Sequence, residues 1–142
     1  MSVSEVPAEL IEAYKRTQYR AFADSGEIVL RIGEPSRAAA QLVGAAGASG
    51  GAFITAENPL SVQLPAAENA VRQGELRKDL LKLGASVFEG AGQGDDPSWP
   101  AEASYAAIGI SREQACELGR KYQQNAIIWF DAGGTPELIV LR

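Results

Sequence analysis

The chain contains no histidine and a single cysteine, Cys116, among its 142 residues. Disulfide scaffolds need paired cysteines and zinc fingers need Cys and His sets, so both are excluded. Ser-His-Asp and Cys-His nucleophile pairs go with them, because no imidazole is present to take the proton. With no such base to activate it, Cys116 reads as a small packing residue. Positive charge is also short: 13 Lys and Arg against 18 Asp and Glu leave a net charge of −5. A field of that sign repels phosphate backbones and argues against a nucleic-acid partner. The longest strong apolar run, residues 126–130, falls far below the ~20 residues of a membrane span. The opening stretch MSVSEVPAEL lacks the basic and apolar regions of a secretion signal, and together with the single cysteine this leads to the expectation of a cytoplasmic protein. The phosphate-cradling pattern Gly-x-x-x-x-Gly-Lys-Ser/Thr is missing as well.

What is present has the balance of a globular protein, with 46% hydrophobic and 22% charged residues. At roughly 150 residues per domain, residues 1–142 are expected to form a single domain with a full core. Leu10, Ile11 and Tyr14 share a helical stripe after Pro7, which suits a first turn. Residues 19–22 and 27–32 read as strands around Asp24-Ser25-Gly26, a hairpin signal. Ser36 caps a helix that ends at Gly47, and residues 52–55 form a short apolar strand. The longest helical pattern spans residues 66–83 and stops at Gly84. Strands follow at 85–89 and, after the loop 90–100, at 102–110. Ser111 and Gln114 make a capping box, opening a helix with the stripe Ala115, Leu118, Gly119, Tyr122. Residues 126–130 and 137–141 flank Asp131-Ala132-Gly133-Gly134, a second hairpin turn. The order α-ββ-α-β-α-β-β-α-ββ predicts an α/β domain: a mixed β-sheet flanked by about four helices, with hairpins near both ends.

Polar residues at positions where apolar ones are expected mark the candidate site. Leu76, Leu80 and Leu83 lie on one face of the long helix, and counting back seven residues puts Asn69 there too, flanked by Arg72 and Gln73. The loop before it carries Thr55, Asn58, Pro59 and Ser61, at the strand edge where open α/β sheets hold ligands. A helix N-terminus and Arg72 together suggest an anion subsite; the plainer alternative is that Asn58-Pro59 is a turn and Asn69 caps the backbone. Glu102 and Ser104 share a face that continues into apolar Ala106 and Ile108. Burial there would raise the Glu102 carboxyl pKa toward the working pH of a general acid or base, a structural ion pair with Arg72 being the alternative. Asp95 and Asp96 with Glu102 form an oxygen set suited to Mg²⁺, or a solvated turn. Trp99 reads as a loop anchor or as an aromatic wall for a ring. In Gln123-Gln124-Asn125, the amides cap helix-end carbonyls or Gln124 aims a donor at a ligand.

The ordered set Thr55-Ala56-x-Asn58-Pro59-x-Ser61, Asn69-x-x-Arg72, Leu76, Leu80, Gly84, Trp99-Pro100-x-Glu102-x-Ser104, Gly119 and Tyr122-x-Gln124-x-Ala126-Ile127 resembles a bacterial family catalogued as domain of unknown function 3293. That resemblance implies a bacterial, single-domain α/β protein and brings no activity with it. The residues themselves lead to a pocket protein for a small polar, anionic or nucleotide-like ligand. In it Glu102 would carry any carboxylate-based catalysis, Arg72 would hold the anion, and Thr55, Asn58, Ser61, Asn69, Trp99, Ser104 and Gln124 would line or orient. Two other classes stay open. One is an acidic, immunity-type interaction or regulatory module, which the charge suits; the other is single-stranded nucleic-acid binding through Trp99 and Tyr105.

Overall fold

The computed structural model describes residues 5–24, 26–94 and 101–142. Its elements are α1 (Ala8–Arg16), β1 (Gln18–Ala23), β2 (Gly26–Leu30), α2 (Arg37–Ala45), β3 (Gly50–Ile54), a short 3-10 turn (Pro59–Ser61), α3 (Ala66–Lys82), β4 (Ser86–Gln93), β5 (Glu102–Ile108), α4 (Arg112–Lys121), β6 (Ala126–Asp131) and β7 (Glu137–Val140). This is the order expected from the sequence, an α/β fold with four helices and a hairpin near each end. The strands form one seven-stranded sheet in the order β2-β1-β4-β5-β3-β6-β7. Every pairing is antiparallel, where a mixed sheet was expected. The reason is that α3 and α4 do not cross over to a parallel neighbour. Each returns the chain to a strand that runs against those beside it.

Both faces of the sheet are covered. On one, α3 and α4 pack Leu76, Leu80, Ala115 and Leu118 against Ile54, Tyr105, Ala107 and Ile127. On the other, Ala39 and Val43 of α2 meet Leu30, Phe53, Ile108, Ile128 and Phe130. Leu83, expected on the buried stripe, sits at the C-cap of α3 and is exposed. Ile110, inside the strand expected over 102–110, belongs to the core opposite Ile108, because Gly109 at φ +100° turns the chain out of β5. Strand β4 runs on to Gln93, through residues expected to be loop, and Gly90 lets it pair closely with β1. A Cβ at Gly90 would overlap the Arg20 carbonyl oxygen of β1.

The α2 side of the sheet is unevenly filled. Toward α2 it carries large side chains such as Leu30, Ile108 and Phe130. Toward the opposite strand ends it carries Gly92, Thr55, Ser104 and Ala126, which are too small to close the layer. Helix α1 passes over that end with Leu10, Ala13 and Tyr14 facing inward, and none of its residues is fully buried. Small strand residues under a spanning helix leave a cavity.

Candidate functional site

The cavity has a volume of about 580 Å³, within the range typical of sites for small organic ligands. Its body is apolar: Leu10 and Ala13 of α1, Tyr19, Phe53, Ile128 and Leu138. Tyr19 and Phe53 pack edge to face, with ring centroids 5.4 Å apart. The Tyr19 hydroxyl donates to the Tyr14 carbonyl oxygen at 2.8 Å, tying α1 to β1.

A polar end is built where β3 and β5 part. Their ladder stops at the Ile54–Tyr105 pair. Beyond it, side chains satisfy the exposed backbone of Ala103. The Ala103 N–H donates to Glu57 Oε1 at 3.0 Å, while its carbonyl accepts from Thr55 Oγ1 at 2.7 Å and Gln73 Nε2 at 3.0 Å. Into the gap comes Asn58, buried and in the left-handed region at φ 49°. Its N–H donates to Asn69 Oδ1 at 3.0 Å, and its Oδ1 accepts from Asn69 Nδ2 at 2.9 Å and from the Leu64 N–H at 3.0 Å. Its remaining donor, Nδ2, points to Glu102 Oε2 at 2.8 Å. Asn69, Asn58 and Glu102 thus form a hydrogen-bonded chain from α3 to the cavity wall.

Burial lifts the Glu102 carboxyl above its ordinary range. The Asn58 hydrogen bond offsets part of this, and the nearby Glu57 charge adds to it. Burial raises Glu57 as well, against the stabilising Ala103 N–H. The neighbouring loop is strained: Leu60 at φ 54° and Ser61 at φ 60° also occupy the left-handed region, and so does Gln123 at φ 58°. Leu60 N–H donates to the Gln123 carbonyl at 2.8 Å, so two strained segments brace each other beside the cavity. Backbone outliers of this kind cost on the order of 1–3 kcal/mol each and concentrate at binding sites.

Of the residues singled out from the sequence, Thr55, Asn58, Ser61, Glu102, Ser104 and Gln124 line this one cavity. Asn69 stands behind it as support for Asn58. Arg72 is placed elsewhere: its Nε donates to the Ala56 carbonyl at 2.6 Å, a terminal nitrogen donates to the Tyr122 carbonyl, and the guanidinium lies over the Tyr122 ring. It therefore neither pairs with Glu102 nor reaches the cavity. The Gln124 amide nitrogen is committed to the Glu57 and Tyr122 carbonyls, at 3.0 and 3.2 Å, which is the capping alternative. Trp99, Asp95 and Asp96 lie outside the described residues, and among the described residues no three acidic side chains group as a metal site.

Sequence reasoning missed Tyr14, Glu57, Gln73 and Asn125. Asn125 Nδ2 donates to Ser61 Oγ at 2.8 Å, and Ser61 is 3.3 Å from the Tyr14 hydroxyl, completing a second polar corner. Tyr14 was hidden in an ordinary helical stripe. Asn125 was visible in the amide run, but nothing in spacing separates it from Gln124. The rule for ligand edges assumes parallel strands and does not hold in this sheet; the site arises instead from small residues beneath α1.

No helix among the described residues is long and apolar enough to cross a membrane. A family model described as Protein of unknown function (DUF3293) matches residues 54–127, just over half of the chain. That stretch runs from the end of β3 through α3, β4, β5 and α4, and it contains the whole Asn69–Asn58–Glu102 chain. No curated protein and no solved structure gives a significant match.

Proposed function

The chain belongs to the DUF3293 family, and we propose that it is a binding protein for a small molecule, seated between α1 and the sheet. The observation that carries this reading is the cavity itself: about 580 Å³, apolar along its body, with Glu102, Asn58, Ser61 and Ser104 among its polar lining. An apolar body with a few convergent polar groups is the usual make-up of a small-molecule site. The strained 58–61 segment supports the same reading, since a loop serving only as a connection has no need of three left-handed residues. A carboxyl raised by burial also suits proton transfer, so any catalysis in the site would fall to Glu102.

The test is an amide-resolved NMR titration with 2-naphthalenemethanol, a neutral probe with an apolar body and one hydroxyl. Saturable shifts at Phe53, Ser104 and Ile128 are expected. They should vanish in Gly92→Leu, which projects a side chain into the cavity from the strand position paired with both Tyr19 and Glu102. A Cβ there meets nothing closer than 3.6 Å, so the strand backbone accepts a side chain, and an unchanged amide spectrum away from the cavity shows that the variant is folded. Shifts that persist in Gly92→Leu, or no shifts at all, overturn the pocket reading and leave the acidic interaction module in its place.

A further inference from the structure

Resting on that pocket reading, we propose that the ligand presents a cationic amine to Glu102, so that the site selects organic amines with an apolar body. This reverses the sign expected from the sequence, where Arg72 was to hold an anion.

Three observations support the reversal. Arg72 is committed to the Ala56 and Tyr122 carbonyls and is absent from the cavity. Glu102 Oε2 accepts from Asn58, whereas Oε1 has no described protein partner and belongs to a residue lining the cavity. The charge that acts on the carboxyl is Glu57, of the same sign. An incoming anion would therefore meet two acidic groups, whereas an ammonium would satisfy the open carboxylate oxygen. A charge-assisted hydrogen bond of that kind, away from bulk water, is the stronger class.

The surrounding polar groups fit an ammonium too. Ser104 Oγ, Ser61 Oγ and the Tyr14 hydroxyl are further oxygens in the cavity lining that can accept. The charged and titratable groups that act on Glu102 or line the cavity with it are Glu57 from the loop after β3, Tyr19 from β1, and Tyr14 and Arg16 from α1. Arg16, the one cation among the described lining residues, is exposed at the C-terminal end of α1. Asn125 meanwhile has its Oδ1 occupied by Arg142, at 2.9 Å.

The experiment compares three probes that share a ring system and differ in the head: 2-naphthylmethylamine, 2-naphthalenemethanol and 2-naphthoate. At about pH 8 the amine is expected to bind about tenfold tighter than the alcohol, with the carboxylate weakest. The amine's affinity should rise with pH as Glu102 ionises, while the alcohol's stays flat. In Glu102→Gln, which keeps an acceptor for Asn58, the amine should fall to the alcohol's level and lose its pH dependence. If the alcohol matches the amine in the wild-type protein, or the carboxylate binds best, the amine assignment is overturned and the pocket stands. If none of the three binds, both readings fall. The ranking in the unmodified protein decides the matter even if the variant misfolds.

Discussion

Replacing Asn69 with alanine should cost far more than removing one polar side chain from a helix surface. Asn69 is 8% exposed and is the acceptor for the buried Asn58 N–H. Its loss orphans that donor, at about 1–3 kcal/mol. It also removes one of two donors to Asn58 Oδ1, a smaller loss because the Leu64 N–H remains. Together with the space left by the missing amide, the total comes to roughly 2–4 kcal/mol. At about 3–5 °C per kcal/mol for a chain of this length, the melting midpoint should fall by roughly 6–20 °C. Asn69→Asp sharpens the test. It keeps an oxygen for the Asn58 N–H but sets a second one against Asn58 Oδ1, unless the new carboxyl is protonated and donates. Its folded pKa is then raised, so its deficit is small in acid and grows as pH rises through that value. Urea unfolding of both variants at about pH 4 and pH 7 reads this out. A wild-type midpoint for Asn69→Ala, with the Asn58 amide resonance unmoved, would refute the relay from α3 to Glu102.

Glu102→Gln should leave stability unchanged near pH 4 and raise it at pH 7. Burial raises the folded pKa of Glu102, so the folded state holds the proton more tightly and loses stability as pH climbs above the ordinary glutamate range. A variant less stable than wild type at neutral pH, measured by thermal melts across the range, contradicts that sign. Leu60→Gly removes a left-handed leucine that is 41% exposed and should stabilise by about 1 kcal/mol in urea; a loss of stability would mean that the Leu60 side chain matters more than its backbone strain. Two glycines should respond in opposite ways. Gly74→Ala, in α3 with nothing within 4 Å of the new Cβ, should gain about 1 kcal/mol. Gly90→Ala, aimed at the Arg20 carbonyl, should lose about 1–3 kcal/mol and loosen the β1–β4 pairing, visible as faster amide exchange along β1.

The order of elements was legible because each boundary carries its own chemistry. Ser36 accepts from the Ala39 N–H, and Ser111 with Gln114 forms the expected reciprocal cap. Asn69 was found by extending a leucine stripe back two turns, and its burial follows from that period alone. Strand direction left no such mark, since period-2 alternation is the same in parallel and antiparallel neighbours. The fate of Arg72 was hidden for a related reason. A long side chain beside a buried stripe can turn toward a ligand or toward carbonyls, and only the placement of Ala56 and Tyr122 decides which. The cavity itself is a tertiary property. Gly92, Ser104 and Ala126 are unremarkable one by one and leave a space only when β4, β5 and β6 bring them to the same end of the sheet.

The most direct test of the account is a crystal structure of the protein with 2-naphthylmethylamine. It should place the ring between Tyr19, Phe53 and Leu138 and the ammonium nitrogen at hydrogen-bond distance from Glu102 Oε1, with Asn58 still on Oε2. A cavity closed by the side chains of α1, or a ligand bound with its nitrogen turned away from Glu102, would contradict it.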